Sequence, residues 1–150
     1  MDQPSTHFTP PSALDRFVNR AFGFLVKIGL GLSHNYLLEV RGRKSGRIYS
    51  TPVNLLEIDG KRYLVAPRGY TQWVRNIEAS GEASLVKRGH RQRFRFQPVA
   101  AEAKPAILKA YLDSFKLTVQ RYFPIPAGSP AEAFQPFAAR YFVFEIVPIS

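Results

Sequence analysis

The sequence predicts an α+β domain: about six antiparallel strands close into a barrel, and three or four helices pack around it. Three observations carry that expectation. Short apolar runs between residues 36 and 66, and again between 83 and 99, are broken by turn residues at Asp59-Gly60 and Arg88-Gly89. A long run of helical periodicity spans Lys104 to Phe123. A last strand-like run, Tyr141 to Val147, closes the chain.

Residues 1–11, with Pro4, Pro10 and Pro11, read as a flexible arm ahead of one domain spanning 12–150. Ser12 suits a helix N-cap with Asp15 three residues on. Leu14, Phe17, Val18, Ala21, Phe24, Leu25 and Ile28 then recur at helical spacing, so 12–31 reads as an amphipathic helix ending near Gly29 or Gly31. Such a helix packs on the barrel as a lid, or lies on a membrane surface with its Arg and Lys outward. Leu38–Arg41 is one strand and Tyr49–Ile58 the next, with Pro52 marking an edge or a bulge. Asp59-Gly60 is a two-residue hairpin turn into Arg62–Ala66. Thr71 suits an N-cap for a short helix, Gln72–Ala79, stopped by Gly81. Ala83–Lys87 and Gln92–Val99 form a hairpin in which Arg91, Arg93 and Arg95 alternate with Gln92, Phe94 and Phe96. The helix Lys104–Phe123 has Pro105 in its first turn and a buried stripe of Leu108, Tyr111, Leu112, Phe115, Val119 and Tyr122. A turn of helix follows within Ala131–Phe137.

The 150 residues suffice to bury a core, and 45% apolar with 13% aromatic content is globular. The net charge of +10 calls for an anionic partner: nucleic acid, lipid headgroups or a polyanionic cofactor. The absence of cysteine excludes thiol catalysis and thiolate metal sites and suits a reducing cytosol. No apolar run is long enough for a membrane span, and Asp2 with the early prolines speaks against a cleavable leader. His7, His34 and His90 lack ligand spacing, so no metal is expected. Neither a Gly-x-Ser-x-Gly elbow nor a dinucleotide fingerprint is present. Any redox chemistry must come from a bound organic cofactor.

One stretch suggests where such a cofactor would sit. Between two strands, Arg41, Arg43, Lys44 and Arg47 crowd a turn hinged by Gly42 and Gly46. Backbone N–H groups in a tight glycine turn form a concave anion site, and Arg and Lys add charge-assisted bonds. A solvated basic hairpin has the same composition. Arg68 lies where a strand hands over to a helix start, a favoured place for an anion.

The run Gly42-Arg43-Lys44-Ser45-Gly46, then Thr51-Pro52, then Asp59 to Ala66, then Trp73-Val74-Arg75-Asn76, resembles the deazaflavin-dependent nitroreductase family. The similarity is clear over about residues 12–100 and holds only in outline beyond. It implies a split β-barrel of the FMN-binding kind and an oxidoreductase using the reduced deazaflavin coenzyme F420, with FMN as the alternative. By the resemblance, Arg43, Lys44, Ser45 and Gly46 hold the coenzyme's phosphate and anionic tail. Thr51, Pro52 and Val53 line the ring, Arg68 and Gly69 touch ring or phosphate, and Trp73 and Asn76 stand behind. The acceptor would be a quinone, enone or nitro compound, with Tyr122, Tyr141 and Tyr70 as candidate catalytic hydroxyl donors and Tyr111 beside them. The chain departs from the family at Tyr49, where another basic residue is common, and at Pro67, where a small hydroxylated residue is common. The expected setting is cytoplasmic, as monomer or homodimer, with peripheral membrane contact through 12–31. Two readings stand against it: a split-barrel binder of flavin, haem or lipid without turnover, and a basic nucleic-acid module stacking bases on Phe94 and Phe96.

Overall fold

The computed structural model describes residues 34–149, so the arm 1–11 and the helix expected at 12–31 lie outside the described residues. Seven strands form one sheet: β1 (Asn35–Arg41), β2 (Ile48–Asn54), β3 (Leu56–Ile58), β4 (Lys61–Ala66), β5 (Glu82–Lys87), β6 (His90–Pro98) and β7 (Phe142–Pro148). Two α-helices accompany them, α1 (Gln72–Ser80) and α2 (Lys104–Val119), with 3-10 segments at Ala101–Ala103, Gln120–Tyr122 and Ala131–Arg140. The strand order is β2-β1-β5-β6-β7-β4-β3, and every pairing is antiparallel.

The strands number seven rather than six because the run expected as one strand, Tyr49–Ile58, divides at Leu55. Its first part pairs with β1 and its second with β4, at opposite edges of the sheet. A strand that changes partners must bend at the change. The bend is held where the Leu55 N–H donates to the His34 carbonyl at 2.8 Å. Since consecutive residues occupy both edges, the sheet curls into a barrel. Pro52, which has no N–H to give, lies in the edge strand β2, as its chemistry requires.

The barrel interior is filled by Leu38, Val40, Leu64, Leu85, Phe94, Phe96, Phe144 and Ile146, and Val74 and Ile77 of α1 close one end. The α1 helix stops at Gly81, whose φ of 78° is the left-handed cap that glycine adopts without strain. On the outer face of β4 and β7, Val65 and Val143 meet Leu108, Tyr111, Leu112 and Phe115 of α2. That second core continues through Phe123, Phe134 and Tyr141. The α2 helix is shorter than its periodicity suggested. Phe115 leaves helical geometry (φ −122°, ψ 25°), and the last turn, Gln120–Tyr122, tightens to 3-10. No described helix is long and apolar enough to cross a membrane.

The proline-rich loop after α2 is tied back to it through one carboxylate. Asp113 accepts Lys109 Nζ at 2.9 Å and the Gly128 N–H at 2.7 Å, and Lys109 also donates to the Ser129 carbonyl. The Lys109 ammonium first, then the Gly128 N–H, hold the Asp113 carboxyl below its usual range. A depressed folded pKa contributes stability above the unfolded value of about 3.9, and that stability is lost as pH falls through the folded value. Asp113→Asn should therefore flatten the acid limb of the stability–pH curve below about pH 4. The loss at neutral pH should stay under about 1 kcal/mol, because solvent screens so exposed a pair. Urea unfolding of both proteins between pH 3 and 7 checks this; parallel curves would refute it.

Candidate active site

The loop from Gly42 to Arg47 joins β1 to β2 and folds on itself: the Gly42 N–H donates to the Arg47 carbonyl at 2.7 Å, and the Gly46 N–H to the Gly42 carbonyl at 3.0 Å. A Cβ at Gly42 would lie 2.6 Å from Cε2 of Tyr49, so a side chain there would displace the Tyr49 ring. The Tyr49 hydroxyl in turn shares a hydrogen bond with Ser45 Oγ at 3.2 Å. Arg43 binds the loop to α1. Its N–H and its Nη1 both donate to Asn76 Oδ1, at 3.0 and 2.9 Å, and Nη1 also reaches Gln72 Oε1 at 3.0 Å. Asn76 is 4% exposed whereas Arg43 is exposed, so the anchor runs from a buried amide to the surface. Lys44 and Arg47 are exposed, with no side-chain partner among the described residues.

Beside this loop the barrel is open. β2 pairs on one side only, with β1, so alternate backbone groups along its other side face a gap. A cavity of about 700 Å³ occupies that gap. Thr51, Pro52, Val53 and Asn54 of β2 form one wall; Val65 to Arg68, Thr71 and Trp73 form another; Tyr111 and residues 117–122 complete it. Of the residues expected from sequence, Thr51, Pro52, Val53, Arg68 and Trp73 line this cavity. Arg43, Lys44, Ser45 and Gly46 lie on the adjoining loop, Asn76 anchors that loop, and neither Asn76 nor Gly69 is part of the lining.

The tyrosines part company. Tyr122 lines the cavity, with the Arg121 guanidinium carbon 5.0 Å from its ring centroid. Tyr141 is a core residue whose ring stacks on Phe123 at 4.7 Å and whose hydroxyl donates to the Tyr122 carbonyl. Burial pushes its phenol up to about 12. Tyr70 lies outside the cavity and donates to Glu78 Oε1 at 2.7 Å; that bond first, then burial, raises its pKa.

Tyr111, read from its periodicity as core, forms part of the cavity wall and is 3% exposed. A part-buried amide pair stands beside it. Asn35 Nδ2 donates to Asn54 Oδ1 at 2.6 Å, which leaves the Asn54 amide nitrogen to donate to the Tyr111 phenol oxygen. Burial raises the Tyr111 pKa far above neutrality, with the Asn54 hydrogen bond opposing it.

Two further residues escaped the sequence reading. Asn54 could have been noticed as an amide inside a strand, but its partner Asn35 faces it only through the β1–β2 register. Thr71 occupies the expected N-cap position with extended backbone, yet its hydroxyl makes no cap bond. It is 4% exposed, lines the cavity, and its Oγ1 has no hydrogen-bond partner among the described residues. A buried hydroxyl without a partner is uncommon, and here it accompanies a polar-edged ligand space.

The nucleic-acid reading loses its stacking groups. Phe94 and Phe96 point into the barrel, 1% and 6% exposed, and Arg91 and Arg93 are paired with Glu39 and Glu82 at 2.8 and 2.6 Å. Among the described residues no three His, Cys, Asp or Glu side chains are grouped to hold a metal ion.

A curled antiparallel sheet, open along one edge onto a cavity and flanked there by a cationic glycine loop, defines a split-barrel protein of the cofactor-using type. The chain belongs to the F420H2-dependent quinone reductase family, which it matches over residues 16–120, and that family is one of oxidoreductases served by reduced F420. Among solved structures, an F420-H2-dependent reductase aligns with a TM-score of 0.52 at 16% identity, over 77% of this chain and 95% of its own. A protein of unknown function from Agrobacterium tumefaciens strain C58 aligns at 0.54 and 19% identity, over 95% of this chain; this chain spans only 58% of that protein's length. A FAD-binding protein from Mesorhizobium loti aligns at 0.50 and 13% identity, covering 93% of this chain and 91% of its own. At such identities the likeness is one of fold. No curated protein matches the sequence.

Replacing Asn76 by Ala strands the Arg43 N–H and leaves only the exposed Arg43–Gln72 hydrogen bond between the loop and α1. Thermal and urea denaturation of Asn76→Ala should show a loss of about 1–3 kcal/mol, the range for a buried hydrogen-bonding group left unpaired. Unchanged stability would mean that the loop needs no anchor.

Proposed function

We propose that this chain binds reduced F420 in the gap beside β2 and reduces an electron-poor acceptor there, a quinone, an enone or a nitro compound. The observation that carries the proposal is the cavity of about 700 Å³ whose open-edged strand runs directly out of the cationic loop. When bound, reduced F420 supplies the hydride.

The residues fit such a molecule, which has a flat ring at one end and a phosphodiester with a carboxylate tail at the other. Pro52, Val53 and Trp73 give the ring apolar walls, and the free edge of β2 with Thr71 gives it hydrogen-bonding groups. Lys44, Ser45 and Gly46 offer the phosphate and tail a cation, a hydroxyl and turn N–H groups. Arg43 contributes mainly by holding this loop, since its Nη1 is committed to α1; its remaining N–H groups can still face an anion. Arg68 adds charge at the junction of β4 and α1.

Among the tyrosines, the geometry favours Tyr111 and Tyr122 over Tyr70 and Tyr141. Tyr111 borders the cavity beside Asn54, where its hydroxyl would be placed to donate to an acceptor oxygen. Its raised pKa keeps that proton in place at neutral pH, where it can stabilise negative charge developing on an acceptor oxygen. Trp73 and the β2 edge would hold the ring and the residues at the end of α2 would hold the acceptor, so that orientation would supply much of the rate.

Two variants test separate parts. Lys44→Ala should weaken F420 binding by about 1–3 kcal/mol, measured by fluorescence titration at constant salt. Tyr111→Phe should bind F420 normally but lower kcat roughly 10–100-fold with a soluble quinone or nitro acceptor. Full affinity in the first variant removes the loop as the anion holder. Full kcat in the second removes Tyr111 from the chemistry.

A further inference from the structure

The start of α1 borders the cavity beside β2, and its donors are short of partners. The Arg75 N–H donates to the Thr71 carbonyl at 3.1 Å, the first bond of the helix. The N–H groups of Gln72, Trp73 and Val74 ahead of it therefore have no carbonyl of their own helix to meet. A capping hydroxyl or an acid in the first turn is the usual answer to such groups. Here the first turn holds no acid, and the Thr71 hydroxyl makes no capping bond. Thr71 is 96% buried, lines the cavity, and leaves its Oγ1 without a hydrogen-bond partner among the described residues.

A cation stands with these donors. Arg68, three residues before Thr71, is half-buried, lines the same cavity and forms no ion pair among the described residues. No Asp or Glu is among the residues that line the cavity, so nothing in the lining answers that charge. A guanidinium, a hydroxyl and the positive end of a nine-residue helix thus gather at one place. The neighbouring walls decide what the answering anion is attached to. Pro52, Val53 and Trp73 are apolar, and the volume of about 700 Å³ suits a small organic molecule rather than a bare oxyanion. The planar fork of a guanidinium matches the two oxygens of a carboxylate.

We propose that the start of α1 is a binding site for a planar organic acid. Its carboxylate meets Arg68, the Thr71 hydroxyl and the first N–H groups of α1, and its aromatic or conjugated body lies against Trp73, Pro52 and Val53. The acid takes space that the coenzyme ring would fill, so the two compete. The site needs no coenzyme to form, and it stands whether or not the F420 reading does.

Trp73 is the only tryptophan in the chain, so its fluorescence reports on the cavity directly. The full chain, free of coenzyme, is titrated with benzoate and with benzamide, its neutral isostere. Benzoate should bind about tenfold more tightly, the effect of one charge-assisted contact. Arg68→Gln and Thr71→Val should each remove most of that preference while benzamide affinity, which reports an intact cavity, stays the same. Thr71→Ser keeps the hydroxyl and should keep the preference. So should Arg47→Gln, which removes an equal charge outside the cavity lining. Excess F420 should displace benzoate. Equal affinity for the two compounds would overturn the proposal. So would a preference that survives in both Arg68→Gln and Thr71→Val, one that falls as far in Arg47→Gln, or benzoate held undiminished beside bound F420. Should F420 itself fail to bind, the function proposed above falls, while the coenzyme-free titration still decides this site.

Discussion

One bent strand governs this molecule. Because β2 and β3 are separated by Leu55 alone yet sit at opposite edges of the sheet, the chain itself holds the two edges together. The sheet must curl, and the curl costs no separate closing interface. The same bend forbids full pairing: above Leu55 the strand follows β1 and leaves β4, so a gap opens between β2 and β4. The candidate site is that gap. A fully closed barrel would have paired the edge and filled the space with side chains.

What surrounds the gap follows from what each neighbour must do. The loop before β2 has to approach the gap without collapsing into it, and its attachment to α1 through Arg43 and Asn76 sets that distance. Its cations are thereby divided: Arg43 is structural first, whereas Lys44 and Arg47 remain in solvent. On the far side, α2 breaks at Phe115, and the segment after the break supplies residues 117–122 to the cavity wall. A straight helix would have carried those side chains along a single line away from the sheet.

Much of this was legible in the sequence, for reasons that can be named. The hairpin at Asp59-Gly60 announces itself because those residues tolerate positive φ, here 51° and 80°. The start and stop of α1 are likewise local, written in Thr71 and Gly81. The division at Leu55 was not legible, since apolar residues continue through it and only the tertiary change of partner creates the bend. The role of Asn54 stayed hidden for a related reason: a polar residue in a strand acquires meaning from the residue across the ladder. Tyr111 lies on the buried stripe of α2, and periodicity says that a side chain is covered but not whether a cavity borders it. Arg91 and Arg93 read as an exposed basic stripe, and their partners Glu39 and Glu82 come from two other strands.

The idle hydroxyl of Thr71 has a consequence for how the empty and loaded proteins differ. A helix start whose N-cap hydroxyl makes no capping bond is a weak point of the free molecule. A guest in the cavity that supplies the missing hydrogen bond would firm up the first turn of α1, and with it Asn76 and the loop that Asn76 restrains. Occupancy at the ring end would then tighten the grip at the charged end through a single short helix, so the two halves of an elongated guest would help one another to stay.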